Sequence, residues 1–444
     1  MESHGEGGLL RITILTLGTH GDVRPFVALG LGLQRSGHAV RLAATDEHRA
    51  FVTEHGLEFA SLGDLSADAE EARQRTSTAL RRLVRLARIA GRFFLAGSPP
   101  AWSERPRWLD PLIEKSWKAC QDAEVIISGV LSFWVSHFAE KLNVPCYVGL
   151  LQPLTPTRRF PSVFFTALFP SWVRLGGGFN RLSHRLMERI FYAFSLRLTN
   201  VPRQEILGLA PLADTHSVEK FYNEQAVILY GYSPLVCPKP VDWPEWHHVT
   251  GFWTLDDVSE WRPPQALVDF LSAGPAPVYV GFGSFSEQRP GRLTEIVLEA
   301  LSLTGQRGVL LVGWGGLAGV DLPDTVFPIE SAPHDWLFPR MVTVVHHGGA
   351  GTVGAALKAG VPSVSIPWRG DHPFFARCAF ELGTSPRPIP KRRLTAKRLA
   401  AAIAKTIEDP RMRERAAAVA QEVRKEDGVA RAVEILERGY LRRG

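Results

Sequence analysis

The sequence predicts an α/β protein made of two blocks of parallel strands joined by crossover helices. Two observations carry this. Short apolar, β-branched runs ending in glycine alternate with helical apolar spacing over residues 11–151, and the same rhythm returns over 277–371. Between the two series, residues 236–264 (VCPKPVDWPEWHHVTGFWTLDDVSEWRPP) are rich in Pro and Trp and weakly periodic, as an interdomain linker would be.

The elements follow in order. RITILTLG (11–18) is short, apolar and closed by glycine, which predicts a buried strand. THGDVRP follows as a loop. FVALGLGLQRSG (26–37) carries Phe26, Leu29 and Leu33 at helical spacing and ends on Gly37, placed as a C′ glycine. HAVRLAAT is the next strand, so strand, loop, helix and strand make one parallel unit. AEVIISG (123–129), a helix near 131–142 and VPCYVGLL (144–151) repeat it. In the second block, PVYVGFGS (277–284), GVLLVGWGG (308–316) and MVTVVHHGGAG (341–351) each run from strand into glycine, and VPSVSIPWRGD (361–371) closes the series. The stretch from about 395 is rich in Ala, Arg and Glu and reads as helix. The division drawn is residues 1–238, 239–426 with the linker at its start, and a final helix over 427–444.

Composition bounds the function. With 444 residues the chain has room for two or three domains, and 45% hydrophobic against 22% charged residues is an ordinary globular balance. A formal charge of +6 is mild for this length. It suits an anionic ligand or a membrane surface and does not call for nucleic acid, of which no zinc-finger or RNA-binding signature is present. Cys120, Cys146, Cys237 and Cys378 are scattered without a paired C-x-x-C, as in a reduced cytosolic protein. The polar start MESHGEGG is no signal peptide, and no apolar run approaches ~20 residues. The expected location is cytoplasmic, with peripheral membrane contact as an option.

Chemistry concentrates at two strand ends. In VVHHGGAGT (344–352) a buried strand over 341–345 runs into a helix expected to begin at Thr352 and end near 359–360. Such a loop lies at the carboxyl edge of a parallel sheet, where ligands of open α/β folds bind. Helix N-terminal amides favour an anion such as a diphosphate, and Gly348, Gly349 and Gly351 let the backbone approach it closely. One histidine of His346 and His347 is expected to face the ligand with an N–H or a positive charge, and the other to pack or bond to backbone. Thr352, at the cap, adds a hydroxyl. A glycine-rich turn with two satisfied histidines is the plain alternative. GFGSF (281–285) is a second such loop, where Ser284 is placed to donate to a phosphate, a weak signal by itself. In the first block, Gly18-Thr19-His20-Gly21-Asp22 is not G-x-G-x-x-G, so a dinucleotide fingerprint is missing. His20 and Asp22 face the cleft from this loop, and either fits a general base. For Asp22, just ahead of Pro25 and a helix, capping is the rival role.

GTHGDVRPFVALGLGLQRSGH, HHGGAGT and GVPSVSIPWRGDHPFFA together resemble family 1 glycosyltransferases of the GT-B fold. LGGGFNRLSHR and DWPEWHHVTGFW resemble the sterol and lipid glucosyltransferase branch, with macrolide and glycopeptide antibiotic transferases further off. The resemblance spans nearly the whole chain. It implies two Rossmann-like parallel-sheet domains facing across a cleft, acceptor on the first and nucleotide sugar on the second, with GVARAVEILERGYL (428–441) crossing back to the first. It implies inverting transfer of a hexose, glucose above all, from a UDP-sugar co-substrate, with no cofactor and no obligatory metal. On the matching positions, His347 contacts the diphosphate with Gly349, Gly351, Thr352 and Ser284. Asp371 and His372 contact sugar hydroxyls, Trp314 and Pro333–His334 receive the uracil, and Asp22 is the base.

Three departures stand out. His20 replaces the Arg of most sterol-type relatives, which keeps it a candidate base. His372 replaces the usual Gln, which bears on the sugar. Ala355 replaces a ribose-gripping Glu of the plant branch. The acceptor is the least defined part. STALRRLVRLARIAGRFFLAG (77–97) sets Arg81, Arg82, Arg85 and Arg88 opposite Leu80, Val84, Ala87 and Phe94. That fits an anionic membrane surface, the wall of an acceptor pocket, or an ordinary amphipathic helix packed on its own domain. Phe133, Trp134, Phe160, Phe164, Phe165 and Trp172 suit a flat hydrophobic acceptor or a plain core. The partners expected are a UDP-sugar and a hydrophobic small molecule, for a monomer or homodimer. The rivals are a macrolide, polyketide or flavonoid transferase, a UDP-N-acetylglucosamine 2-epimerase-like isomerase needing paired carboxylates, and a binding protein without catalysis.

Overall fold

Two all-parallel sheets organise the chain in the computed structural model, which describes residues 9–64, 109–166, 176–216, 226–255, 261–283, 290–312, 321–368 and 370–441. The first sheet has β1 (Arg11–Leu15), β2 (Ala39–Ala44), β3 (Glu58–Ser61), β4 (Val125–Ser128), β5 (Cys146–Leu150), β6 (Val227–Tyr230) and β7 (His247–Val249). Their spatial order is β3-β2-β1-β4-β5-β6-β7. The second sheet has β8 (Val278–Gly281), β9 (Gly308–Leu311), β10 (Val326–Ile329), β11 (Thr343–His346) and β12 (Ser363–Ser365), ordered β10-β9-β8-β11-β12.

Both sheets are covered on two faces, which is why their central strands are buried at successive rather than alternate positions. Ile12 and Ile14 of β1 join one core with Leu29 and Leu33, while Leu15 turns to a second core with Ile126 and Phe138. In β11, Val344 and Val345 likewise part between two cores. Strands β3, β6, β7 and β10 escaped the sequence reading. In β10, Pro328 interrupts the run, a residue that an edge strand tolerates because one side of its ladder is unused.

The stretch expected to be only linker contributes β7, so the first sheet extends past residue 238. Beyond it, Gly251 (φ +115°) passes so close to Gly428 that a Cβ on Gly428 would stand 2.4 Å from the Gly251 carbonyl carbon. The two chain crossings between the sheets therefore touch through bare backbone. The final helix, Gly428–Leu441, returns to the first domain as expected. Val429, Ala432, Val433 and Leu436 enter the core of β1, and Tyr147 Oη donates to the Leu436 carbonyl at 3.2 Å. Each large apolar side chain buried there contributes about 1.5–3 kcal/mol. Gly32 of the helix His20–Arg35 makes room for it: a Cβ there would lie 2.2 Å from Val429. Among the described residues no helix is long and apolar enough to cross a membrane.

Candidate active site

Each sheet reverses strand order once. In the first, the neighbours β1 and β4 lead to opposite sides; in the second, β8 and β11 do. Crevices at such switch points are where ligands bind in open α/β sheets. Both loops singled out by sequence lie there.

The second-sheet corner is built on β11, whose His346 pairs in register with Gly281 of β8 and Ser365 of β12. The His346 ring is wholly buried, and its Nδ1 accepts from the Gly348 amide at 2.9 Å. Nδ1 being the acceptor, Nε2 carries the hydrogen, and burial holds the ring neutral, well below the usual imidazole range. His346 is thus the member of the pair that bonds to backbone. His347 is half-buried beside Gly283 and Gly349: a Cβ on Gly349 would stand 2.5 Å from its Nε2. Desolvation pushes its pKa down to about 4, so it offers an N–H near neutrality rather than a positive charge.

The following helix is Ala350–Ala359, closed by Gly360 at φ +76°. It starts two residues earlier than expected. Gly349 is the N-cap, with φ −65° and ψ 148°, and Thr352 sits in the first turn rather than at the cap. Glycine has no side chain with which to satisfy the first amides. Those of Ala350, Gly351 and Thr352 belong to the turn where a helix has no internal acceptors. A Cβ on Gly351 would meet nothing within 4 Å, so open space lies against that turn. Gly348, by contrast, has a φ of +89° that L side chains rarely adopt, and a Cβ there would lie 3.0 Å from the His372 carbonyl oxygen.

The first-sheet corner is made differently. His20 and Asp22, expected on a loop, lie in the first turn of the helix His20–Arg35, whose N-cap is Thr19. Asp22 Oδ2 accepts from the Thr19 amide (2.8 Å) and from Thr19 Oγ1 (3.0 Å). This capping box outweighs Pro25, and the helix begins before it. Capping and a base role are not exclusive. Both bonds fall on Oδ2, and burial raises the carboxyl pKa above its ordinary value despite them. Gly18 (φ +127°) is required here, since a Cβ would stand 2.4 Å from Asp22 Oδ2. Its carbonyl accepts from Nε2 of the buried His48 (3.1 Å). His20 is exposed, its ring 4.4 Å from that of Phe51.

The two corners meet across the cleft. Asp371, the N-cap of the helix His372–Glu381, has a pKa pushed up to about 6 by burial, its own backbone opposing; the Asp22 carboxylate adds to the rise. Gln152 of the first domain opposes the rise. Phe374 and Phe375 of the same helix pack on Phe160 (5.1 Å between centroids) and Tyr232 (6.1 Å) of the first domain. His372 is buried, its ring 4.7 Å from that of His347. Pro333 caps the short helix His334–Leu337. The His334 ring stacks on Phe338 at 4.2 Å, and burial, with Arg24 of the first domain nearby, lowers its pKa to about 4.

Ser284, Trp314, Trp172 and the amphipathic stretch 77–97 lie outside the described residues. Phe133 and Trp134 are core residues, Phe133 packing edge-on to Phe191 at 5.7 Å, whereas Phe164 is exposed. Gln152, His48, Gly18 and Arg24 were not singled out as site residues from sequence. Only Gly18, at a strand end, carried a local signal; the others become functional neighbours through the fold. Among the described residues no group of three His, Cys, Asp or Glu side chains is arranged to hold a metal ion.

Comparison with known proteins fits this geometry. Residues 12–161 match the glycosyltransferase family 28 N-terminal domain, and residues 316–438 match the C-terminal domain of erythromycin biosynthesis protein CIII-like proteins. A sterol 3-beta-glucosyltransferase of Cryptococcus neoformans is 35% identical over 455 residues, covering 97% of this chain and 27% of that protein. One from Pichia angusta is 35% identical over 437 residues, covering 96% and 33%. The chain thus spans about a third or less of the curated relatives it matches. The crystal structure of the calicheamicin glycosyltransferase CalG4 superposes with a TM-score of 0.65 at 19% identity, covering 98% of this chain and 99% of that one. Two parallel-sheet domains, opposed corners and matches in both halves lead to one assignment: this chain belongs to the glycosyltransferases of the GT-B fold.

Proposed function

We propose that the chain transfers a hexose, glucose above all, from a UDP-sugar to a hydroxyl of a lipophilic acceptor such as a sterol, with inversion at the anomeric carbon. One observation carries this reading: a helix start without a side-chain cap stands at the second switch point, and the Asp22 carboxylate of the first lies close enough to Asp371 to raise its pKa. The diphosphate sits on the amides of Ala350, Gly351 and Thr352 with the His347 N–H beside it. Asp371 accepts from sugar hydroxyls. Asp22 takes the proton of the acceptor hydroxyl, and that oxygen attacks the anomeric carbon. The bond to the diphosphate oxygen breaks, and UDP leaves with the electron pair, its growing charge met by the amides and the imidazole N–H. The raised pKa makes Asp22 a stronger base than an exposed carboxylate. In this reading no cofactor takes part, and charge on the leaving group is handled by the protein's own donors.

The sterol relatives support the acceptor class, and the curated names supply no finer choice for this chain. Incubation with UDP- and dTDP-sugars and a panel of sterols, macrolides and flavonoids, with mass detection, tests the proposal. Glycosylated sterol from UDP-glucose is the expected product. The proximity of Asp22 and Asp371 also suits an isomerase acting on the free nucleotide sugar. An epimerised donor with no acceptor product would turn the assignment that way, and binding without any product would leave a non-catalytic binder.

A further inference from the structure

We propose that His48 is a positioning residue for the base: by gripping the Gly18 carbonyl it locks the Gly18–Thr19 peptide, and the locked peptide holds the Asp22 carboxylate in the orientation that meets the acceptor hydroxyl. The bonds involved fall on one planar unit. His48 Nε2 donates to the Gly18 carbonyl at 3.1 Å, the carbonyl having no hydrogen to give. The other polar end of the same peptide is the Thr19 amide, which donates to Asp22 Oδ2 at 2.8 Å. Thr19 Oγ1 adds a second bond to that oxygen at 3.0 Å. An imidazole thus holds the peptide on one side and the carboxylate holds it on the other.

The lock answers a need that the sequence creates. A Cβ at residue 18 would stand 2.4 Å from Asp22 Oδ2, so the position calls for glycine. Glycine brings backbone freedom with it, here at a φ of +127°. Rotation of the peptide between residues 18 and 19 would turn the Thr19 amide away from Asp22, and the His48 bond opposes that rotation. His48 is itself fixed. It is buried and ends a single 3-10 turn, Asp46–His48, just past β2 at the carboxyl edge of the first sheet. Its amide donates to the Thr45 carbonyl at 3.0 Å, and the Asp46 amide donates to the Gly63 carbonyl at 3.1 Å. Ser61 Oγ donates to Asp46 Oδ2 at 2.9 Å, which ties the turn to the end of β3. Glu47 Oε1 stands 3.5 Å from the same His48 nitrogen, so the Gly18 carbonyl is the nearer acceptor. With both Thr19 bonds on Oδ2, Oδ1 is the oxygen left to take the acceptor proton.

This inference rests on the base role given to Asp22 above, and its test separates the two. A glutamine carboxamide places its nitrogen where Nε2 stands. Asparagine, one methylene shorter, places it nearer Nδ1 and falls short of the Gly18 carbonyl. kcat, KM, calorimetric UDP affinity and melting temperature are measured for His48→Gln and His48→Asn, each alone and combined with Asp22→Asn. His48→Asn should lower kcat about tenfold with KM and UDP affinity within about twofold, and His48→Gln should recover most of the loss. In the Asp22→Asn background either change should cost less than about twofold, because no base remains to be positioned. Equal kcat in His48→Gln and His48→Asn would overturn the proposal. So would an equal loss with and without Asp22, the pattern of a plain structural role or of a route through His20, whose ring lies 6.4 Å from that of His48. Full turnover in Asp22→Asn, or wild-type protein that forms no glycoside, would sink the reading above and this inference with it.

Discussion

The two switch-point corners share a plan and differ in who satisfies the helix start. At the first, Thr19 and Asp22 close a capping box, so the helix consumes its own polar groups and holds a carboxylate in one place. At the second, Gly349 caps without a side chain, and the first-turn amides remain available to a ligand. The same strand-to-helix geometry therefore yields a held base in one domain and an anion cradle in the other. The choice is made by a threonine and an aspartate against a pair of glycines.

The largest expected effect breaks the first corner. Asp22→Asn keeps the bonds to Thr19 in shape and removes the base; turnover should fall by about 10²–10⁴ while UDP affinity holds near wild type. Steady-state kinetics with calorimetry decides it. Retained turnover in Asp22→Asn with loss in His20→Ala would move the base to His20.

Breaking the second corner should reverse that pattern. In Gly349→Ala the new Cβ would stand 2.5 Å from His347 Nε2 and displace the ring. UDP affinity should drop by roughly tenfold to a hundredfold, as for losing hydrogen bonds to a charged group. The matching change at the first corner, Gly21→Ala, meets only Thr19 Oγ1 at 3.7 Å. It should leave UDP binding alone and raise stability by about 0.5–1 kcal/mol, the helix preference of Ala over Gly. Equal losses of affinity in the two variants would remove the distinction between the corners.

His347→Ala isolates one donor of the second corner. About a tenfold loss of UDP affinity is expected, with little change in melting temperature, since the ring is half-buried and neutral above pH about 4. Unchanged calorimetric affinity would refute the assignment.

A pH titration sharpens the link between the corners. Asp371 ionises near pH 6, and both carboxylates must be ionised to serve in the proposed roles. Donor kcat/KM should fall as pH drops through about 6. Asp371→Asn removes the group that titrates near 6, so the remaining activity should keep its acid limb at lower pH. An acid limb left in place would mean that Asp371 does not set it. Stability should run the other way. A raised carboxyl pKa favours the protonated folded form, so Asp371 stabilises below the usual carboxyl value and loses this contribution as pH rises through about 6. Chemical denaturation between pH 4 and 7 should show the loss in wild type and a smaller one in Asp371→Asn.

Much of this site was legible along the chain because its signals are local. Glycines after apolar runs mark strand ends, and a strand end in a parallel sheet is already a place where ligands bind. What was misjudged was local too, by a few residues. Thr352 looked like a cap because glycine gives no polar signal of its own, and His20 looked like loop because Pro25 masks a helix that starts earlier.

By itself the sequence determined the two α/β blocks and the glycine corners, since periodicity and backbone freedom are written in neighbouring residues; the return of the last helix followed from the resemblance alone. Only the tertiary structure decided that His346 is wholly buried with its Nδ1 on the Gly348 amide, and that Asp22 and Asp371, more than three hundred positions apart, share one cleft. Those relations depend on burial and on which residues the fold brings together. Desolvation and charge proximity in a folded interior have no counterpart in the order of residues along the chain.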